Sequence, residues 1–141
     1  MLLFALAFPR DPVEDAPVIL VVEDHADTRA MYVEFLSLYY RVEQAPTAHA
    51  ALEAAAKRPP ALLVTDLSLP GMDGFELVER LRAREETRRV PVICLSGYGD
   101  ETFLERARTL RIERVLLKPC LPDDLVTEVD RVLREAETGG R

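Results

Sequence analysis

Short apolar runs recur along this chain, each followed by an amphipathic or alanine-rich stretch, and this alternation limits the possible folds more than any other feature. Val18-Ile19-Leu20-Val21-Val22 is continuous and mostly β-branched, as in strands covered on both faces. Ala61-Leu62-Leu63-Val64-Thr65 repeats the pattern, as does Val90-Pro91-Val92-Ile93-Cys94-Leu95, whose proline lies near the strand start, where a lost donor matters least. Residues 40–45 and 114–117 read as shorter, weaker strands. Helices are expected between them. The first spans 26–38, with Ala30, Met31, Phe35 and Leu38 on one face. The second spans 48–57 and is ended by Pro59-Pro60. The third, 73–84, carries Phe75, Leu77, Val78 and Leu81, and the fourth, 100–110, opens on acids that suit the positive end of the helix dipole. The fifth, 122–136, places Leu125, Val129, Val132 and Leu133 on one side. Such alternation implies an α/β fold: a parallel sheet with helices on both faces and right-handed crossovers.

The 141 residues, 48% hydrophobic and 30% charged, suit one compact domain that needs no disulfide or metal staple. A net charge of −7 repels phosphate backbones and argues against direct nucleic-acid binding. Cys94 and Cys120 form neither a CxxC pair nor a zinc spacing, and read as reduced thiols in a cytoplasmic protein, Cys94 within the core. The apolar residues 1–8 are too few to span a bilayer and lack the basic n-region of a signal peptide, so no membrane association is expected. Residues 10–17 are rich in proline and acid. The chain thus divides into a leader and linker (1–17), a folded domain (18–136) and a tail (137–141).

In a doubly wound sheet, ligands bind beyond the carboxyl ends of the strands. Glu23 and Asp24 follow the first strand, Asp66 the third, Ser96-Gly97 the fourth and Lys118-Pro119 the fifth. Taken singly, Asp24 could cap the first helix and Asp66 the turn leading to Pro70-Gly71. Three acids at one edge repel one another, however, and call for a cation or a raised pKa. A hard divalent ion such as magnesium answers that need. Only Lys57 and Lys118 are lysines among 18 basic residues, so a compact ammonium at position 118 stands out against an arginine background. The fitting chemistry is phosphoryl transfer to a carboxylate, with Asp66 as nucleophile and Lys118 and the Ser96 hydroxyl binding phosphoryl oxygens. No GxxxxGK[ST] loop supports nucleotide binding.

Val21-Val22-Glu23-Asp24, the stretch from Val64-Thr65-Asp66 through Ser68, Pro70-Gly71 and Met72-Asp73-Gly74, then Leu95-Ser96-Gly97 and Leu117-Lys118-Pro119, together resemble the receiver domain of two-component response regulators. The resemblance covers roughly residues 18–136. It implies a flavodoxin-like fold similar to the chemotaxis regulators, with strand order 2-1-3-4-5. It also implies that Asp66 is the phosphoacceptor and that magnesium (or manganese in its place) is held by Asp24, Asp66 and the backbone carbonyl of Ser68, with Glu23 acting through water. Ser96 resembles the switch hydroxyl, Gly97 leaves room for the phosphodonor, and Pro119 directs Lys118. Ser68 and Tyr98 hold the positions that tune dephosphorylation. The implied partners are a histidine kinase or histidine phosphotransfer protein and a downstream target or output domain, with homodimer formation open. The protein would be a signalling switch in a phosphorelay, not an enzyme of multiple turnover.

Three departures accompany the resemblance. The acid pair is Glu-Asp where Asp-Asp is commoner. Val115 stands where the family often carries an aromatic, with Tyr98 or Tyr39 as conceivable substitutes. Arg111-Ile112 stands where a Gly-Ala pair is usual. Val115 motivates an alternative class, a non-cycling pseudo-receiver that serves as an interaction module. A phosphatase working through an aspartyl phosphate is disfavoured by Ser68 two residues after Asp66, where such enzymes place a second acid. His25 and His49 receive no role.

Overall fold

The computed structural model describes residues 16–97, 99 and 101–138. The apolar leader, Tyr98, Asp100 and the Gly139-Gly140 end lie outside the described residues. Ten elements alternate: β1 (Val18–Val22), α1 (Ala26–Leu36), β2 (Arg41–Ala45), α2 (Ala48–Lys57), β3 (Leu62–Asp66), α3 (Gly74–Arg82), β4 (Val92–Ser96), α4 (Glu101–Thr109), β5 (Arg114–Leu117) and α5 (Pro122–Thr138). The strands form one parallel sheet in the order β2-β1-β3-β4-β5, the order implied by the resemblance.

Successive strand residues point to opposite faces, and this two-residue period builds two cores. Leu20, Val22, Leu63, Val92 and Cys94 face α2, α3 and α4, where Ala51, Leu52, Leu77, Val78, Leu81 and Ala107 cover them. Ile19, Val21, Leu62, Val64, Ile93 and Leu95 face α1 and α5, against Tyr32, Leu36, Leu125, Val129 and Val132. β3 and β4 are buried at every position. Each such side chain contributes about 1.5–3 kcal/mol by leaving water, which is why continuous apolar runs mark the central strands.

α1 departs from the expected face. Tyr32 and Leu36 are its buried residues, whereas Met31 is 37% and Leu38 68% exposed. Apolar residues lie on more than one side of this helix, so periodicity alone could not select the packed side. Helix starts follow local chemistry. Thr47 accepts from Ala50 N at 3.0 Å and Asp73 from Glu76 N at 2.9 Å. At α1 the cap is not Asp24 but His25, whose Nδ1 accepts from Thr28 N at 3.3 Å. Tyr39 lies in the turn before β2, at the end of the sheet where Val18 pairs with Arg41. This is the edge opposite Asp66, so Tyr39 cannot replace the missing aromatic at Val115. Val115 itself pairs with Cys94 and, half-buried, packs against the core cluster on the α2–α4 face of the sheet.

Arg111-Ile112 closes α4. Arg111 takes φ 58°, Ile112 N donates to Ala107 O and Arg111 N to Arg108 O, both at 2.9 Å, which is a Schellman cap. The Arg82 guanidinium locks this turn. It donates to Leu110 O (3.0 Å) and Arg111 O (3.0 Å) as well as to Val90 O (2.6 Å) and Arg88 O (2.9 Å). Because the left-handed conformation costs a non-glycine residue about 1–2 kcal/mol and glycine gives back part of that as backbone entropy, Arg111→Gly should raise stability by up to ~1 kcal/mol. A higher urea midpoint with unchanged slope would show it; a lower midpoint would mean that the arginine side chain contributes more than its backbone strain costs.

Thiol labelling offers a second check on the core. Burial pushes the Cys94 thiol far up. It also raises Cys120, helped by Asp124 and Glu128, but Cys120 is only half-buried. The native protein should therefore release one slow thiol equivalent and the unfolded chain two. Two native equivalents would place Cys94 in solvent.

Candidate phosphoryl-acceptor site

β1 and β3 are neighbours in register, with Val22 opposite Thr65. The residues that follow these partners, Glu23 and Asp66, are therefore delivered side by side at the carboxyl edge of the sheet. Glu23 is 3% and Asp66 4% exposed, while Asp24 is open to solvent. One carboxylate oxygen from each of the three lies within 4.8 Å of the others. All three donors are hard oxygens, the set that suits a small divalent cation.

Lys118 comes to the same point from β5. Its backbone N donates to Ser96 O at 2.7 Å, extending the β4–β5 ladder past Leu117. Its Nζ donates to Asp66 Oδ2 at 2.8 Å and stands 3.8 Å from Glu23 Oε1. Burial works against the lysine's charge, but the hydrogen bond to Asp66 and the charges of Asp66, Glu23 and Asp24 outweigh it and hold its pKa above the ordinary range. One ammonium does not neutralise three carboxylates. Glu23 shows the deficit: burial, opposed by the His25 N–H and reinforced by Asp66, raises its pKa, and its Oε1 is buried without a hydrogen-bond partner. An orphaned acceptor beside two further carboxylates is what a cation would satisfy, so the residues fit magnesium.

Asp66 Oδ1 accepts from Ser68 N at 3.0 Å, so the capping reading of Asp66 is correct as far as it goes. Ser68 is exposed, Ser96 is buried at the end of β4, and Gly97 follows in open space, where a Cβ would meet no atom within 4 Å. Pro119 is exposed next to Lys118, and Gly71 takes φ 78°, which favours glycine at this turn. Tyr98 lies outside the described residues.

Three further residues shape the site: Gly74, named from sequence only as part of the Met72-Asp73-Gly74 motif and given no role, and Arg29 and Tyr32, not singled out from sequence. Gly74 begins α3 directly under the residues that end β3, where a Cβ would stand 2.6 Å from Asp66 O and 2.8 Å from Leu67 Cα. Arg29 donates to Glu23 O (2.8 Å) and to Gln44 Oε1 (2.9 Å), tying the acid loop to the end of β2. Tyr32, buried in α1, donates to Cys120 O at 3.0 Å. Burial, with smaller contributions from Cys120, Glu23 and Asp66, pushes its phenol up to about 12, so it remains a donor at neutral pH. Only Gly74 carried a readable signal, a glycine just after the Asp73 cap position; the other two depend on contacts that no spacing encodes.

Comparison with known proteins decides what such an arrangement belongs to. Residues 19–130 match the model of the response regulator receiver domain. The chain belongs to this family. The receiver domain is 35% identical over 119 residues to the sensor histidine kinase TmoS of Ectopseudomonas mendocina, covering 84% of this chain and 12% of that protein. It is 31% identical over 121 residues to the two-component response regulator ORR5 of Oryza sativa subsp. japonica, covering 84% and 90%. A CheY-like receiver domain from Methanospirillum hungatei JF-1 superposes with TM-score 0.83 at 26% identity, over 89% of this chain and 100% of that one. The chain spans only 12%, 8% and 32% of the first three curated relatives it matches. Among the described residues, no helix is long and apolar enough to cross a membrane.

The close approach at Gly74 gives a test of how tightly the site is built. Gly74→Ala should cost about 1–3 kcal/mol, because main chain rather than a flexible side chain would have to yield. Thermal unfolding measures this. A fully stable Gly74→Ala protein would mean that the main chain at Asp66 and Leu67 moves aside easily.

Proposed function

We propose that this receiver domain is a phosphorylation-driven switch in which Asp66 is the phosphoacceptor. The observation that carries the reading is the Lys118–Asp66 hydrogen bond of 2.8 Å set beside the unpartnered, buried Glu23 oxygen. In the proposed step a carboxylate oxygen of Asp66 forms a bond to phosphorus while the bond from phosphorus to the donor breaks. For a phosphohistidine donor, the imidazole leaves with the electron pair and is protonated. Lys118 then pairs with a phosphoryl oxygen, and the Ser96 hydroxyl takes another. Asp24, Asp66 and the Ser68 carbonyl would hold magnesium, with Glu23 through water. The ion supplies charge neutralisation at the phosphoryl oxygens, a task for which manganese would also serve.

The proposed donor is a histidine kinase or a phosphotransfer protein in the cytoplasm. The proposed readers are a target protein, an attached output domain or a second copy of the chain. The new dianionic group biases two conformations, and a partner selects between them. The domain's own residues catalyse the transfer, without turnover of external substrates. A second reading, a non-cycling interaction module, is favoured by one observation: Val115, half-buried against the core, offers no aromatic ring to reorient.

Incubation with acetyl phosphate and magnesium, followed by intact-mass measurement, separates the two. One added phosphoryl group, absent in Asp66→Asn and in the presence of chelator, is the expected result. No added mass under any condition would favour the non-cycling module. The aspartyl phosphate of the parent should also outlast that of Tyr98→Ala, since a ring at position 98 would shield it from water. Equal or faster decay in the parent would remove Tyr98 from the account.

A further inference from the structure

Tyr32 is out of place among its neighbours. It lies on α1 in a cluster whose other fully buried members are aliphatic, among them Ile19, Leu36, Leu125 and Val129. A hydroxyl in such a place is costly unless bonded, and a leucine would fill the space without that requirement. The hydroxyl reaches across to Cys120 O, 88 positions away in sequence.

Cys120 lies in the segment joining β5 to α5, half-buried against the same core, and its carbonyl takes the Tyr32 hydroxyl's hydrogen bond. Leu117 is 60% and Leu121 64% exposed. Lys118 N on Ser96 O anchors its start, and Leu125 N on Leu121 O begins the next helix. Between these two points lie Lys118, Pro119 and Cys120. A lysine side chain loses about 1.5–2 kcal/mol of rotamer freedom when held, so a fixed main chain on both sides of it matters for keeping Nζ on Asp66.

We infer that Tyr32 is a positioning residue for Lys118: its hydroxyl, bonded to the Cys120 carbonyl, fixes the far end of the lysine-bearing segment and so keeps the ammonium on Asp66. For its kinetic consequence the inference rests on Asp66 being the acceptor. Its geometric content is independent of that reading.

The chain's two lysines supply the test. Protein labelled with carbon-13 at lysine Cε gives two signals, with exposed Lys57 as internal control. In Tyr32→Phe, which keeps the ring and removes the hydroxyl, the Lys118 signal should move toward its position in Asp66→Asn while Lys57 stays put. Phosphorylation by acetyl phosphate at saturating magnesium should slow about fivefold, the equivalent of one hydrogen bond. That slowing should disappear when the same change is made in a Lys118→Ala background. A Lys118 signal unmoved in folded Tyr32→Phe, or equal slowing with and without Lys118, would overturn the inference and leave Tyr32 a packing residue. Tyr32→Leu gives the same comparison if the phenylalanine variant folds poorly. The lysine signals need no phosphoryl transfer, so a parent that fails to take up phosphate would refute the acceptor reading without deciding this one.

Discussion

Three carboxylates and one ammonium at the carboxyl edge of the sheet set the terms for the rest of this molecule. Glu23 and Asp66 are almost fully buried beside Asp24, and Lys118 pairs with both of them. Charges so placed would separate or take up protons unless the framework held them. The framework is the all-buried pair β3 and β4 with β1 beside them, whose apolar side chains fill both faces. The free energy of burying those strands supports an arrangement that is locally unfavourable. The remaining imbalance, visible at the orphaned Glu23 oxygen, is what fits the site to a divalent cation.

The supports around the cluster come from every side. Gly74 lets α3 press against the main chain at Asp66 and Leu67, Arg29 ties the acid loop to β2, and Tyr32 binds the segment that carries Lys118. At the other end of the sheet Arg82 closes the turns around β4 through four backbone carbonyls. A well-packed sheet with one electrostatically frustrated edge is suited to a switch, because adding charge at that edge shifts a balance already poised there.

Much of this was legible in the sequence, for identifiable reasons. Strands buried on both faces leave continuous apolar runs, and a parallel sheet places the residues that follow them on one edge, so Asp66, Glu23, Asp24 and Lys118 could be grouped before any geometry was known. What stayed hidden depended on tertiary choice. α1 has apolar residues on several sides, and only packing against α5 selected Tyr32 and Leu36 over Met31 and Leu38. His25 rather than Asp24 caps α1, since Asp24 belongs to the acid cluster. Arg111 reads as a simple departure from a small-residue loop, yet it occupies a left-handed cap held by Arg82, a contact between distant parts of the chain. The family match agrees with the grouped motifs.

The most direct measurement is chemical mapping of the acyl phosphate. Borohydride reduction after treatment with acetyl phosphate and magnesium converts a phosphorylated aspartate to homoserine, and peptide mass spectrometry locates it. Homoserine at position 66, with Glu23 and Asp24 intact, is the result expected if Lys118 and the acid pair serve one acceptor. Reduction at position 24, or at no carboxylate while magnesium is bound, would contradict it.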